Sequence, residues 1–431
     1  MWIRQYSVNM QYVYFVSTGV SLFLFNYGQS HDIYHSLICI IFIYFVLQFL
    51  AGTMLSVILA FLFLMSYLLL GYYYTAQGDY DLSWSLPQCI LTLKLIGLVW
   101  DVFDGRRNEE LSDEQKKTAL KDIPGLLEIA AYVYFFSGFL VGPQFPLVRL
   151  RSLVNGEFDD PETGFPRKNT FQCLHRLILG FIYMALYVIL YGKLTEDYFL
   201  SDQFKAQNLL WKCLLACIWF RLIISRYIAC WLAVEGSCIL VGLSYNGQDT
   251  ATRKALWDGL RNIRTTKFEL GCTFQSVIES FNINTNQWAS RYVFKRLKFL
   301  GNKSLSHVMT LMFLALWHGV YSGYFACFLF EYACVIAERQ ISSIVQYYPW
   351  LDELFNRSLI KYPVWIFKKT LVTFGCAYGL LPFILLKFDV WWQVYKNLYF
   401  VGWLLYGVVW QVIFALFGHF IKSRRTRSKR E

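Results

Sequence analysis

Residues 52–75 read GTMLSVILAFLFLMSYLLLGYYYT, a run that contains no charged side chain. It is longer than the ~20 apolar residues that cross the hydrocarbon core of a bilayer. Comparable apolar runs recur along nearly the whole chain of 431 residues, of which 56% are hydrophobic and only 16% charged. The sequence therefore predicts an all-α polytopic membrane protein without a large soluble domain.

Length and hydropathy indicate roughly eight to twelve membrane-spanning helices in a single integral-membrane domain over residues 1–431. The predicted spans lie near residues 10–26, 34–50, 52–75, 87–100, 126–142, 174–192, 209–225, 227–243, 305–319, 321–337, 363–387 and 394–418. Polar stretches separate some of them, and the longest, 245–271, has room for short helices on the membrane surface. Short interfacial helices are therefore expected beside the spans.

The formal charge of +11 is concentrated in two basic clusters, RYVFKRLKFLGNK (291–303) and the tail 421–431, which contains KSRRTRSKR. By the positive-inside rule, both clusters favour the cytosol. The tail is typical of a topology anchor that contacts anionic headgroups. Its last residues, RSKRE, also resemble a basic retrieval signal of endoplasmic-reticulum membrane proteins.

Metal and disulfide chemistry are not indicated. The eleven cysteines include no CxxC pair and lie mostly in apolar runs, and apart from His31 and His35 the six histidines show no HxxxH spacing. Other polar residues within predicted spans, such as Lys94, Glu235 and Glu331, occur in transporters and enzymes alike. Glu235 is expected to pair with a neighbouring arginine and to be structural.

The first basic cluster predicts an amphipathic element. If the segment is helical, Arg291, Lys295 and Lys298 share one stripe, as in a helix that lies flat at the cytosolic surface. Two ligands fit such a stripe. It would contact either phospholipid headgroups or the phosphates of an anionic substrate delivered from the cytosol.

One histidine, His318, stands within the apolar run LALWHGVYSGY (314–324). An ionisable residue in a membrane span indicates a functional site, and an apolar environment favours the neutral imidazole, which can accept a proton. The alternative is a structural histidine bonded to a backbone carbonyl. Asn282, taken alone, is more typical of a helix cap or a turn than of a catalytic group.

The stretches FNINTNQWASRYVFKRLKFLGNK (281–303) and LALWHGVYSGY resemble the membrane-bound O-acyltransferase (MBOAT) family, with the closest similarity to its lysophosphatidylcholine acyltransferase branch. Supporting segments are LTLKLIGLVWDVFDG (91–105), FFSGFLVGPQF (135–145) and WLAVEGSCILVGLSYNG (231–247). The family pairs an asparagine in a [W/F]N motif with a histidine in WHG. Here these map onto Asn282 and His318, which are 36 residues apart.

The resemblance implies an MBOAT fold, in which helices surround an internal chamber that acyl-CoA enters from the cytosol and a lysolipid reaches through the bilayer. It implies an acyltransferase of the endoplasmic-reticulum membrane that transfers a polyunsaturated acyl chain from acyl-CoA to the sn-2 hydroxyl of lysophosphatidylcholine and related lysophospholipids. His318 would be the base, and Asn282 would either orient the imidazole or stabilise the oxyanion. Acyl-CoA would be a co-substrate, and no cofactor is expected.

From charge and position, we predict substrate contacts at Trp288, Arg291, Lys295, Lys298 and Trp317. Membrane lipids and a second copy of the chain are further expected partners, whereas nucleic acid is not.

Several alternatives stay open at this point. The acceptor could be lysophosphatidylinositol, lysophosphatidylserine, a sterol or a protein. A transporter or scramblase is the alternative from another class. A covalent route through Cys327 is disfavoured, because it lies about 13 Å along a helix from His318 and no neighbouring group activates its thiol.

Overall fold

The computed structural model describes residues 2–27, 32–75, 84–107 and 110–417, so the basic tail 421–431 lies outside the described residues. Within these ranges the chain is helical and forms isolated β-bridges but no strand. The first nine helices are α1 (Val8–Tyr27), α2 (Ile33–Leu50), α3 (Met54–Thr75), α4 (Ser85–Arg106), α5 (Asp113–Lys116), α6 (Leu126–Val133), α7 (Leu147–Asn155), α8 (Thr170–Leu190) and α9 (Asp202–Lys205).

The second half of the chain is also helical. Its helices are α10 (Leu209–Leu240), α11 (Thr265–Leu270), α12 (Phe274–Ile278), α13 (Ile283–Tyr292), α14 (Lys303–His318), α15 (Ser322–Tyr347), α16 (Pro349–Asn356), α17 (Ser358–Leu385) and α18 (Phe388–Asn397). A final apolar helix covers Trp403–Phe417 and begins with a π-helical segment, Trp403–Val409. Segments of 3-10 helix lie at Trp2–Gln5, Tyr191–Lys193, Glu196–Leu200 and Phe294–Leu300.

Seven of the described helices are long and apolar enough to cross a membrane, namely α1 to α4, α8, α10 and α17. This is fewer than the eight to twelve spans predicted. Helix α14 is shorter, with 16 residues. Helix α15 contains Glu331, Glu338 and Arg339, which lower its apolar character. Both helices nevertheless pack inside the bundle.

The predicted break between spans 209–225 and 227–243 is wrong. Helix α10 covers both spans without interruption over 32 residues, a length of about 48 Å. Arg226, which stands at the expected break, places its guanidinium over the rings of Tyr187 and Tyr227, at 5.5 and 5.2 Å. The aromatic rings accommodate the charge without ending the helix.

The predicted span 126–142 is also wrong. Helix α6 ends at Val133, and the chain reaches α7 through turns. At the end of α6, the Lys94 ammonium donates hydrogen bonds to the carbonyls of Tyr132 and Val133, at 3.0 and 3.4 Å. Irregular buried backbone is tolerated at membrane depth where such partners satisfy it, so Lys94 stabilises the buried end of helix α6.

The expected pairing of Glu235 is confirmed. Its carboxylate lies 3.0 Å from Arg176 Nε and 3.2 Å from Arg261 Nε, and its side chain is fully buried. The ion pair joins α8 and α10 to the polar stretch 245–271.

Two large apolar clusters form the core. One is built around α4 and includes residues of α1 to α3, α6, α7, α13 and α14. The other contains residues of α8, α10, α15, α17 and α18. A small third cluster joins Ala315 of α14 to Tyr324 of α15 and Phe383 of α17. The end of α14 therefore lies where the two halves of the bundle meet.

Candidate active site

His318 is the last residue of α14, and aromatic rings surround its imidazole. The ring centroids of Trp317, Phe383, Tyr324 and Phe328 lie 4.6, 4.8, 5.7 and 5.7 Å from that of His318. Among the residues that the structure describes, none forms a hydrogen bond with the imidazole. Within the described residues, His318 is therefore not bonded to a backbone carbonyl, as the structural alternative would require.

Gly319 allows the chain to turn directly after His318. Its φ is +146°, a conformation that side chains disfavour, and a Cβ there would lie 2.9 Å from Cε2 of Tyr324. The absence of a side chain lets the Tyr324 ring approach the end of α14. Sterics thus explain why a glycine follows His318 in the WHG sequence.

Asn282 precedes the first residue of α13 and adopts the left-handed conformation, with φ 50° and ψ 45°. Asparagine tolerates this conformation better than most residues other than glycine. Its side chain makes no capping bond and no other hydrogen bond within the described ranges. The residue holds the position of a helix cap while its amide remains available for another partner.

Two tryptophans attach α13 and α14 to α4. Nε1 of Trp288, in α13, donates a hydrogen bond to the carbonyl of Leu93 at 2.9 Å. Nε1 of Trp317, in α14, donates to the carbonyl of Cys89, also at 2.9 Å. These carbonyls are about one turn apart along α4. Each tryptophan thus anchors its helix to α4, and the substrate contacts expected of both stay predictions.

The start of α13 and the end of α14 reach the same level of the bundle. Helix α13 runs parallel to α4: Trp288 bonds to Leu93, and Tyr292, one turn later, donates its hydroxyl hydrogen bond to Asp101, farther along α4, at 2.8 Å. Helix α14 runs the opposite way, because its end contacts α4 nearer to its start. Asn282 lies ~9 Å before Trp288 along α13, and His318 ends α14 in the same direction. The structure therefore brings the two residues to one end of α4.

An inner cavity of ≈ 360 Å³ lies between α4, α7 and α13. Trp288 and Arg291 line it, and so do several polar residues that the sequence analysis did not select: Asp101, Arg149, Asn284 and Gln287. The segment 91–105 contained a signal for this lining, because Lys94 and Asp101 are two helical turns apart and fall on one face of α4.

A second, outer cavity of ≈ 310 Å³ brings the predicted basic stripe together. Arg291, Lys295 and Lys298 all line it, although they do not lie on one α-helix as expected. Helix α13 ends at Tyr292, and a 3-10 segment follows because the backbone of Val293 departs from helical geometry, with φ −122° and ψ −68°.

The outer cavity contains further charges that sequence reasoning missed. Arg107 and Arg296 add to its basic lining, and Glu114 is an acidic residue in it. Arg296 makes a bidentate pair with the buried Asp104, at 2.8 and 2.5 Å, and Lys295 pairs with Glu114. Arg291 lines both cavities, and its buried Nε has no hydrogen-bond partner among the described residues.

His318 and Asn282 line neither of these two cavities. The structure thus groups the predicted residues into two sets. Trp288 and the basic stripe surround the cavities, whereas His318, with Trp317 beside it, lies among aromatic rings at the junction of the two clusters.

Comparison with known proteins agrees with the resemblance to the membrane-bound O-acyltransferase family. The family model described as MBOAT, membrane-bound O-acyltransferase family, matches residues 69–373. The chain is 43% identical over 386 residues to a human protein named Lysophospholipid acyltransferase 5, which covers 89% of this chain and 78% of the relative. A Caenorhabditis elegans protein of the same name is 39% identical over 404 residues, covering 94% and 85%. A Schizosaccharomyces pombe protein named Lysophospholipid acyltransferase is 27% identical over 398 residues, covering 89% and 77%.

Proposed function

The chain belongs to the membrane-bound O-acyltransferase family, and from this we propose that it is an acyl-CoA:lysophospholipid O-acyltransferase that acts on lysophosphatidylcholine. The observation that carries the proposal is the identity of 39–43% over most of the chain to proteins named Lysophospholipid acyltransferase 5. The location of His318, the histidine of the WHG sequence, at an apolar helix end supports it.

The proposed reaction moves an acyl group from sulfur to oxygen. The neutral imidazole of His318 takes the proton of the sn-2 hydroxyl as its oxygen attacks the thioester carbonyl. The attack forms a C–O bond and a tetrahedral oxyanion. The oxyanion then collapses to the ester as the C–S bond breaks. The proton then passes from His318 to the departing thiolate of coenzyme A. No covalent intermediate on the protein is needed.

The aromatic rings around His318 support this role, because apolar surroundings favour the uncharged form of the imidazole. The Asn282 amide, which lies at the same level of the bundle, would donate a hydrogen bond to the oxyanion or to the imidazole. A donor of this kind in a dry site contributes about 2.7–4 kcal/mol to transition-state stabilisation.

The outer cavity is the proposed site for the phosphates of acyl-CoA. Arginine and lysine side chains bind phosphate through charge-assisted hydrogen bonds, and five of them line this cavity: Arg107, Arg291, Lys295, Arg296 and Lys298. Arg291 also lines the inner cavity, so its side chain borders both the basic cavity and the space beside Trp288. Phospholipid headgroups would compete for the same charges.

We further propose that the protein resides in the endoplasmic-reticulum membrane as a homodimer and prefers polyunsaturated acyl donors. The apolar spans and the basic tail support this location.

The exposed apolar face of α8, with Phe171, Phe181 and Val188, is suited to lipid or to a second copy of the chain. Imaging of a tagged chain and the mass of the detergent-purified particle test location and dimer. Cytosolic staining or a monomeric mass would contradict them.

The test of function is an assay of the purified protein with radiolabelled oleoyl- and arachidonoyl-CoA. Lysophosphatidylcholine, lysophosphatidylserine, lysophosphatidylinositol and a sterol are offered in parallel. The proposal predicts labelled phosphatidylcholine as the main product, with arachidonoyl-CoA the better donor. Exclusive labelling of another acceptor would contradict the proposed substrate. Lipid movement across vesicles without a new ester would contradict the activity.

A further inference from the structure

Asn262 lies in the polar stretch 245–271 and is buried, with 4% of its surface exposed. Its side-chain Oδ1 accepts hydrogen bonds from the backbone N–H of Asn284 at 3.0 Å and from Asn284 Nδ2 at 3.1 Å. A buried amide with two such bonds has a defined orientation. Asn262 therefore fixes the residue that stands two positions after Asn282.

The backbone around Asn262 holds the same segment. The carbonyl of Asn262 accepts from the N–H of Ile283 at 3.1 Å, and the N–H of Arg264 donates to the carbonyl of Ser280 at 2.8 Å. Between them, Ile263 forms an isolated antiparallel bridge with Phe281. Residues 262–264 thus bond to the chain on both sides of Asn282.

This segment is itself attached to the helical bundle. The carbonyl of Arg261 accepts from Asn284 Nδ2 at 3.3 Å. The guanidinium of Arg261 donates to Glu235 of α10 at 3.2 Å. Through these contacts, the position of the loop depends on a helix of the second core cluster.

The conformation of Asn282 requires such support. Its left-handed backbone is sparsely populated for residues other than glycine and persists where the surroundings determine it. Its own side chain forms no hydrogen bond with any residue that the structure describes. The neighbouring residues hold the backbone from which its amide projects: Asn262 Oδ1 accepts from Asn284 after it, and Asn286 Nδ2 donates to the carbonyl of Phe281 before it.

We propose that Asn262 is a positioning residue that holds Asn282 in its left-handed conformation and aims its amide at the reacting groups. The inference rests on the proposed function. It assigns Asn262 no contact with either substrate, so its effect reaches the reaction only through Asn282.

The test is a double-mutant cycle with kcat and KM measured for arachidonoyl-CoA and lysophosphatidylcholine. Asn262→Ala should lower kcat by about 10²-fold, the effect of misplacing a catalytic group by about 1 Å, with little change in either KM. In an Asn282→Ala background, Asn262→Ala should have no further effect, because the group that it positions is absent. Asn262→Asp, which keeps the oxygen acceptor, should retain most of the activity.

Asn246→Ala is the matched control, since Asn246 is an exposed asparagine of the same polar stretch that bonds to Asp258. It should behave as the wild type. If Asn262→Ala does not fold, Asn262→Ser, whose hydroxyl lies one bond nearer the backbone and so falls short of the Asn284 donors, enters the same cycle. Wild-type kcat in the Ala or Ser variant, or a full additional loss in the Asn282→Ala background, would overturn the inference. Absence of ester product from the wild type would instead contradict the proposed function.

Discussion

Trp288 and Trp317 donate their indole hydrogen bonds to two carbonyls about one turn apart on α4, those of Leu93 and Cys89. One tryptophan belongs to the helix that begins after Asn282, and the other directly precedes His318. The helices next to the two proposed catalytic residues are therefore attached to the same buried helix.

The Trp317 bond predicts a first outcome. Trp317→Phe keeps an aromatic ring but removes the indole donor to the Cys89 carbonyl, so the free energy of unfolding should fall by about 0.5–1.5 kcal/mol and kcat should fall with it. Thermal unfolding and turnover in detergent measure both effects. Trp365→Phe is the control, because Trp365 bonds to the carbonyl of Leu270 away from this site. Equal turnover in both variants would contradict an anchoring role.

Asn282 allows side-chain and backbone roles to be separated. Both Asn282→Ala and Asn282→Gly remove the amide, but glycine adopts φ +50° without strain. We expect both variants to lose about 10²-fold in kcat, the usual cost of one oxyanion donor, while only the alanine variant loses thermal stability. Recovery of turnover in the glycine variant would show that the residue acts through its backbone.

Gly319→Ala tests the steric argument at the WHG sequence. A Cβ would lie 2.9 Å from the Tyr324 ring at a φ that alanine disfavours. The expected result is displacement of the ring beside His318 and a loss of kcat that exceeds any loss of folded protein. Gly192→Ala, at a glycine where nothing lies within 4 Å of a Cβ, is the comparison. Unchanged turnover in Gly319→Ala would contradict the proposed packing.

Charge reversal in the outer cavity should change the KM for acyl-CoA. Lys295→Glu and Lys298→Glu should raise it several-fold, more strongly at low salt, and leave the KM for lysolipid unchanged. Lys254→Glu, at an exposed lysine of another loop, is the control. Similar changes in both KM values would indicate a headgroup surface instead.

Glu114 supplies a prediction of opposite sign. The hydrogen bond from Lys295 holds the pKa of the Glu114 carboxyl below its usual range, so the group is ionised at neutral pH and competes with phosphate for the lysine. Glu114→Gln should lower the KM for acyl-CoA at pH 7. In the wild type, the same decrease should occur only in acid, as pH falls through the lowered pKa of Glu114. A raised KM in the glutamine variant would place the phosphates elsewhere.

The sequence predicted the helical class and the resemblance to the family, because long apolar runs and a few polar motifs are local features. It did not predict that α10 continues through Arg226, since hydropathy cannot distinguish two short spans from one long helix. It also missed the end of α6, where a lysine from another helix satisfies the backbone. Arg107, Arg296 and Asn262 were missed because their roles arise from contacts between distant segments.

The most direct test of the proposed reaction is the rate of ester formation by purified His318→Ala. His307→Ala is its matched control, because His307 lies on the same helix, packed against Tyr332 rather than in the aromatic cluster of His318. If His318 is the base, its variant should lose at least 10²–10⁴-fold in kcat while folding as the wild type does, and the His307 variant should stay active. Wild-type turnover in His318→Ala would contradict the account.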